Sequence, residues 1–184
     1  MLNEKQQKQL LTIARETIKI WLEKKEKLKL PGIDSLLREK RGIFVTLKKN
    51  EQLRGCIGMI LPEQPLAESV VNMAIESATA DPRFPAVSLE ELKEIKIEIS
   101  VLTVPKRVED YQEIELGRDG VIVKRGFRQG VFLPQVATET RWGREEFLGN
   151  LCAHKAGLPE DAYQEKTTEL YTFQAQVFSE EWKN

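Results

Sequence analysis

The segment 53–58, LRGCIG, holds the residues whose types and spacing best suit chemistry. The surrounding pattern predicts a strand, in which side chains two residues apart share a face, so Arg54 and Cys56 are expected to project together, roughly 7 Å apart. A neighbouring guanidinium favours thiolate over thiol, and the thiolate is the nucleophile. Gly55 and Gly58 leave space beside the thiol, as glycine in a strand often does where a ligand comes close. These residues predict a pocket with a nucleophilic or ligand-contacting thiol.

A structural interpretation fits the same hexapeptide and is the more common one for such residues. Cysteine often behaves as a small core residue, and glycines permit close packing of neighbouring elements. We therefore carry both interpretations forward. Arg54 and Cys56 are candidate catalytic residues, and Gly55 and Gly58 are candidate ligand-binding residues.

The segment 81–85, DPRFP, is the second candidate site. Its two prolines fix the backbone, so Asp81 and Arg83 are expected to be presented rigidly, as a ligand-binding group needs to be. The alternative is a structural turn in which Asp81 caps a helix or pairs with a neighbouring arginine.

A third group of candidates follows Pro134. Gln135 could hydrogen-bond a ligand, and Glu139 could act as a general base. For Glu139 a surface carboxylate is the favoured interpretation, and for Trp142 a core position.

Cys56 and the single histidine, His154, are the minimum for a thiol dyad. Sequence alone does not show the geometry by which such partners are recognised, and His154 near a helix C-terminus has a structural explanation. Cys152 lies on the apolar stripe of the same predicted helix and is expected in the core.

The composition excludes several classes of protein. There are 28 basic and 29 acidic residues, a formal charge of −1, which argues against a protein built to coat nucleic acid or an anionic membrane. Two cysteines outside any CxxC pair and one histidine argue against a structural zinc site, and the cofactor requirement stays open. A polar N-terminus and the lack of a long apolar run predict a soluble, cytoplasmic protein with reduced thiols.

The periodicity of apolar residues predicts interspersed helices and hairpins, an α+β fold with a largely antiparallel sheet and flanking helices. Pro31-Gly32 is expected to end the first helix, and Pro62 and Pro65 are expected to end the second strand. Residues 106–119 are expected to be an irregular loop or lobe junction. The predicted helices are 3–28, 66–80 and 144–156; the predicted strands are 42–47, 53–60, 95–101, 121–123, 131–133 and 171–177.

Seven segments together resemble the AMMECR-one-like family, called AmmeMemoRadiSam system protein A in bacteria and archaea. Besides LRGCIG and DPRFP they are RGIFVTL at 41–47, EISVLT at 98–103, FLPQVATE at 132–139, FLGNLCAHKAGLP at 147–159 and LYTFQAQVF at 170–178. The resemblance spans nearly the whole chain, 1–184, as a single domain. It implies two intertwined subdomains, or lobes, around a central cleft lined by the glycine-rich signature.

The resemblance does not specify a reaction. It implies a ligand-binding or thiol-dependent enzymatic component that acts with radical SAM and Memo-like partners, and the substrate, a small molecule or a protein, stays open. A nucleic-acid-binding module and a non-catalytic scaffold or regulator are the alternatives. The chain lacks the CxxxCxxC arrangement of a radical SAM enzyme, so it is not itself that partner.

Overall fold

The computed structural model describes residues 1–30, 35–61 and 63–181. The chain divides into two compact units: Met1–Leu102 together with the chain from Gln176 onward, and Thr103–Ala175. The ends predicted at Pro31-Gly32 and Pro62 lie outside the described residues. The helices are α1 (Glu4–Lys24), α2 (Leu66–Thr79), α3 (Pro134–Thr140) and α4 (Arg144–Asn150). The strands are β1 (Ile43–Lys49), β2 (Gln52–Met59), β3 (Ile95–Leu102), β4 (Lys106–Val108), β5 (Gly120–Arg125), β6 (Arg128–Phe132), β7 (Glu169–Phe173) and β8 (Ala175–Ser179).

Two four-stranded antiparallel sheets, one per unit, confirm the predicted α+β class. In the first, the strand order is β2-β1-β3-β8, so the strand that carries LRGCIG lies at the edge. In the second, the order is β4-β7-β5-β6. No helix within the described residues is long and apolar enough to cross a membrane.

Buried and partly exposed residues alternate along β1 from Ile43 to Leu47 and along β3 from Ile95 to Val101. Ile43, Val45 and Leu47 of β1 are buried, as are Ile97 and Ile99 of β3. They share one apolar core with α1 and α2. The intervening residues of β1 and β3 therefore project from the opposite face of the sheet.

The helix predicted over 3–28 is α1, which begins at Glu4 with Asn3 as its N-cap and ends at Lys24. Asn3 accepts a hydrogen bond from the Gln6 N–H, and the Gln6 side chain accepts one from the Asn3 N–H, both at 3.0 Å. This capping box satisfies two donors that a helix N-terminus otherwise leaves without partners.

The second unit packs α3 and α4 with its own sheet around a separate core. Phe147, Leu151 and Cys152 are fully buried in it. Two features differ from the sequence prediction. Residues 134–140 form a helix that was not predicted, and the predicted helix 144–156 is α-helical only to Asn150, after which Leu151–Ala156 is a π-helix. Gly157 ends it with φ of 63°, a left-handed cap.

The predicted C-terminal strand 171–177 is wrong as a single strand. The chain leaves one sheet at Gln174 and joins the other, so β7 and β8 belong to different units. At the break, the Gln174 carbonyl accepts from the Thr103 N–H at 2.8 Å, and the Gln174 N–H donates to Thr103 Oγ1 at 2.9 Å. Beyond the break, Phe178 packs on the core of the first unit while Val177 is exposed.

The loop predicted at 106–119 also contains ordered structure. Its first residues form β4, which pairs with β7 in an antiparallel register. A 3-10 turn, Tyr111–Glu113, follows, and the Asp110 side chain accepts from the Gln112 N–H at 2.8 Å. The strand is only three residues long and two of the three, Lys106 and Arg107, are charged, so its pairing with β7 stabilises it more than the β propensity of its own residues does.

Candidate functional site

Cys56 lies near the middle of β2 and is partly exposed. Its cross-strand partner on β1 is Thr46. Thr46 Oγ1 donates a hydrogen bond to Cys56 Sγ over 3.3 Å. Because Val45 and Leu47 face the core, Thr46 and the thiol lie on the opposite face of the first sheet. The thiol therefore has a fixed polar partner that the sequence analysis did not predict.

The DPRFP turn holds the main chain of Cys56. Asp81 Oδ2 accepts from the Cys56 N–H at 2.8 Å, and Arg83 Nη2 donates to the Cys56 carbonyl at 3.3 Å. The same guanidinium donates to both carboxylate oxygens of Asp81, from Nε at 2.9 Å and from Nη2 at 2.7 Å. DPRFP and LRGCIG, two separate candidate sites in the sequence, therefore meet at Cys56 in the structure.

The electrostatics of this pair are asymmetric. Asp81 is 4% exposed, whereas the Arg83 side chain is 53% exposed. The hydrogen bonds from Arg83 hold the pKa of Asp81 well below its usual range, against burial, which acts to raise that pKa. The Cys56 and Arg83 N–H groups add to the lowering. Asp81 is thus a buried carboxylate that stays ionised and fixes the turn to the edge strand.

Arg54 is bound to a different partner. Its guanidinium donates to Glu91 through Nε at 2.8 Å and Nη2 at 3.0 Å, and only 13% of its side chain is exposed. These bonds lower the pKa of Glu91. The register shifts between Leu47 and Lys48, which pair with Gly55 and Leu53, so Arg54 has no residue opposite it on β1. Such a bulge bends the strand locally, and the predicted proximity of Arg54 and Cys56 stays a prediction.

The ring of Phe84 contacts both guanidinium groups. Its centroid lies 5.9 Å from Arg54 Cζ and 5.6 Å from Arg83 Cζ, distances within the range of cation–π attraction. Phe84 therefore joins the Arg54–Glu91 pair to the Asp81–Arg83 pair. Both arginines were predicted from the sequence as candidate site residues, whereas the aromatic residue that contacts both of them was not.

The two glycines of the hexapeptide are packed against protein atoms. A Cβ on Gly55 would lie 2.2 Å from the Ser77 carbonyl oxygen. A Cβ on Gly58 would lie 2.3 Å from the Ile43 carbonyl oxygen and equally near the Phe44 ring. Since real Cβ atoms do not approach so closely, both positions require glycine for packing. This geometry supports the structural interpretation of the glycines, whose predicted ligand contacts stay predictions.

Ser77 is a further site residue that sequence analysis did not single out. Its hydroxyl accepts from the Ile57 N–H at 2.9 Å and donates to the Val45 carbonyl at 2.8 Å. Val45 and Ile57 are cross-strand partners, so α2 contributes one hydroxyl that bridges the β1–β2 ladder beside Cys56. The available signal was a serine on the apolar stripe of a helix, where a buried hydroxyl needs partners.

The remaining candidates lie in the second unit. Gln135 and Glu139 are exposed on α3, and Trp142 is half-buried with its ring centroid 6.1 Å from that of Phe132. His154 is exposed, while Cys56 belongs to the first unit, so a Cys56–His154 dyad stays a prediction.

Cys152 is the thiol that sequence analysis assigned to the core. It is fully buried, which confirms the assignment. Burial raises the pKa of its thiol, partly offset by a backbone hydrogen bond with Tyr163. The chain thus carries one partly exposed and one buried thiol, which makes Cys152 an internal reference for the reactivity of Cys56.

Comparisons with known proteins agree with the resemblance seen in the sequence. The family model described as AMMECR1 matches residues 11–178. A protein of Methanothermobacter thermautotrophicus is 48% identical over 179 residues, which cover 94% of this chain and 93% of that one. A Methanopyrus kandleri protein is 49% identical over 181 residues, covering 94% and 87%. The crystal structure of an uncharacterised Pyrococcus horikoshii protein matches with a TM-score of 0.86 and 40% identity over 98% of this chain and 94% of its own.

Proposed function

Since the chain belongs to the AMMECR1 family, we propose that it is a ligand-binding, thiol-dependent component of a modification pathway, with Cys56 as the residue that contacts or attacks the ligand. One observation carries this proposal. The Cys56 main chain is held at both its N–H and its carbonyl by the Asp81–Arg83 pair, and its thiol is held by Thr46. A working thiol requires such positioning by packed neighbours.

The contacts give each residue a role. Asp81 and Arg83 position the strand, and Thr46 donates to the sulfur, where a donor stabilises negative charge. Arg54 acts on the site indirectly, since its guanidinium is bound to Glu91 and contacts the Phe84 ring. The catalytic role therefore rests on Cys56, with Arg54 and Arg83 as positioning residues. Gln135 and Glu139 stay candidates for ligand contact.

The partners belong to the same proposal. The family resemblance implies radical SAM and Memo-like proteins, and a partly exposed thiol in a rigid frame suits a component that receives a reactive group from another enzyme. Binding of the purified chain to a purified radical SAM or Memo-like protein of the same genome, measured by sedimentation, tests this part separately.

The decisive experiment compares alkylation of the two cysteines in the folded protein by iodoacetamide, followed by mass spectrometry of the modified peptides. We expect Cys56 to react at least about tenfold faster than the buried Cys152, because thiol reactivity follows exposure and local donors. If Cys56 is as unreactive as Cys152, the hexapeptide has a structural role only, and the scaffold alternative is favoured. Cys56→Ser should leave the unfolding midpoint nearly unchanged, which separates loss of function from loss of fold.

A further inference from the structure

The β5–β6 hairpin ends in an aromatic side chain that packs on nothing. Arg125 and Arg128 are the last cross-strand pair, so Gly126 and Phe127 form a two-residue turn. Gly126 has φ of 60°, as a tight hairpin turn requires at its first position. The turn requires no phenylalanine, yet the Phe127 side chain is fully exposed, at 107%. The ring is therefore accessible to a partner, and the charges around it bear on which partner that is.

The charges around this ring are held in place. Arg125 pairs with Glu165, and Arg128 Nη1 donates to the Gly157 carbonyl at 2.6 Å. Lys124, one residue before Arg125, is exposed. We call Lys124, Arg125, Phe127 and Arg128 the basic tip. Fixed cations around an exposed ring favour a partner surface that is negatively charged.

The same unit carries a cavity with a strongly negative lining. A cavity of about 240 Å³ is lined by four carboxylates together with Gly149, Asn150 and the largely buried ring of Tyr163. We call it the acidic cavity; its carboxylates are Glu145, Glu146, Glu160 and Asp161. Within the described part of the chain, none of these four forms an ion pair. Glu145 and Glu146 also line a neighbouring cavity of about 550 Å³, whose lining includes one cation, Arg144.

We propose that the acidic cavity receives the basic tip of a second copy of this chain. The two surfaces share no residue, are opposite in charge, and match in size, since a cavity of about 150 Å³ already accommodates a benzene ring. Such a contact is heterologous, because each copy gives its tip to one neighbour and offers its cavity to another. The copies therefore form rings or short chains, and the contact weakens as salt screens the exposed charges.

The first test is sedimentation velocity of the full chain from about 10 µM to about 1 mM, a range that brackets the affinity of small interfaces. We expect the wild type to associate with rising concentration, and less so at high salt. Two variants each remove one surface: Phe127→Ser removes the ring, and Glu145→Lys with Glu146→Lys reverses part of the negative lining. Both change exposed side chains, and circular dichroism checks that both stay folded. Each variant alone is expected to be monomeric throughout the range.

Mixing the two variants makes the test specific for this geometry. Phe127→Ser retains a complete cavity and the double lysine variant retains a complete tip, so a mixture can form one good contact and no more. We expect the mixture to form a dimer with one chain of each variant and to stop there. A wild type that stays monomeric at the highest concentration, or a mixture that does not dimerise, would overturn the proposal. Association that survives in Phe127→Ser alone would also overturn it.

Discussion

Thr46 and Cys56 are joined across the first hairpin by a hydrogen bond from Oγ1 to Sγ of 3.3 Å. The register of β1 and β2 makes them cross-strand partners, so the bond follows from the strand pairing itself. In a strand the side chains of such partners lie about 5 Å apart at Cβ, near enough for a hydroxyl to reach a thiol. The thiol and its donor are therefore positioned by one structural feature, the hairpin.

Removing the Thr46 hydroxyl should slow the reaction of Cys56. Thr46→Val keeps the shape of the side chain and deletes the donor. We expect the rate of Cys56 alkylation to fall roughly threefold to tenfold, because a hydrogen-bond donor to sulfur stabilises the thiolate that reacts. Thr46→Ser retains the hydroxyl and should keep most of the rate. Mass spectrometry after timed quenching measures both, with Cys152 as the reference. Equal rates in the wild type and Thr46→Val would show that the contact has no role in reactivity.

Neutralising Asp81 should destabilise the first unit. Asp81→Asn weakens the bonds to Arg83 and to the Cys56 N–H, and we expect a loss of about 1–3 kcal/mol in the free energy of unfolding at pH 7. Urea titration followed by circular dichroism measures it. Glu139→Gln is the matched control, because that carboxylate is exposed on α3 and its change should stay within about 0.5 kcal/mol.

The same carboxylate predicts a pH dependence of stability. The pKa of Asp81 in the folded protein lies below its ordinary value of 3.8, so the unfolded chain binds its proton first as the pH falls. This contribution is fully present above about pH 5 and is lost as the pH falls toward the folded pKa. The stability difference between the wild type and Asp81→Asn should therefore shrink between pH 5 and about pH 3. A difference that stays constant over that window would contradict the pairing with Arg83.

Adding a methyl group at Gly55 should strongly lower the free energy of unfolding. The new Cβ would lie 2.2 Å from the Ser77 carbonyl oxygen, which is backbone and has little freedom to move. We expect Gly55→Ala to cost about 2 kcal/mol or more, the cost of overpacking a tight contact. At Gly149 in α4 the nearest atom to a Cβ would be 3.6 Å away. Gly149→Ala should therefore be neutral or stabilise by up to about 1 kcal/mol through helix propensity; a similar result at Gly55 would disprove the close contact with α2.

Deleting the Ser77 hydroxyl should open the hairpin locally. Ser77→Ala leaves the Val45 carbonyl and the Ile57 N–H without their shared partner, at a cost of about 1–3 kcal/mol. Hydrogen exchange of the Ile57 amide should accelerate in the variant more than that of amides in the second unit. Unchanged exchange at Ile57 would indicate that the strands pair equally well without the serine.

Local patterns were sufficient for most elements of this protein. The spacing of Leu10, Ala14 and Ile18 on α1, and the alternation of Ile95, Ile97 and Ile99 on β3, express the geometry of a helix and of a strand within a few residues. The sequence also placed Cys152 in a core, because it shares a helix stripe with Phe147 and Leu151. The family was visible from the motifs, and the comparisons confirmed it.

Only the tertiary structure decided which side chains form hydrogen bonds and ion pairs with one another. Asp81 reaches the Cys56 main chain across 25 residues, and Arg54 reaches Glu91 across 37, so no spacing rule connects them. It also decided where the C-terminal strand breaks, since the alternation from Tyr171 to Val177 is continuous in the sequence while the chain changes sheets at Gln174. Sequence alone determined most of the elements, because periodicity is a property of neighbouring residues. The pairing of charges and the choice of sheet depend on which elements pack together, and only the folded chain contains that information.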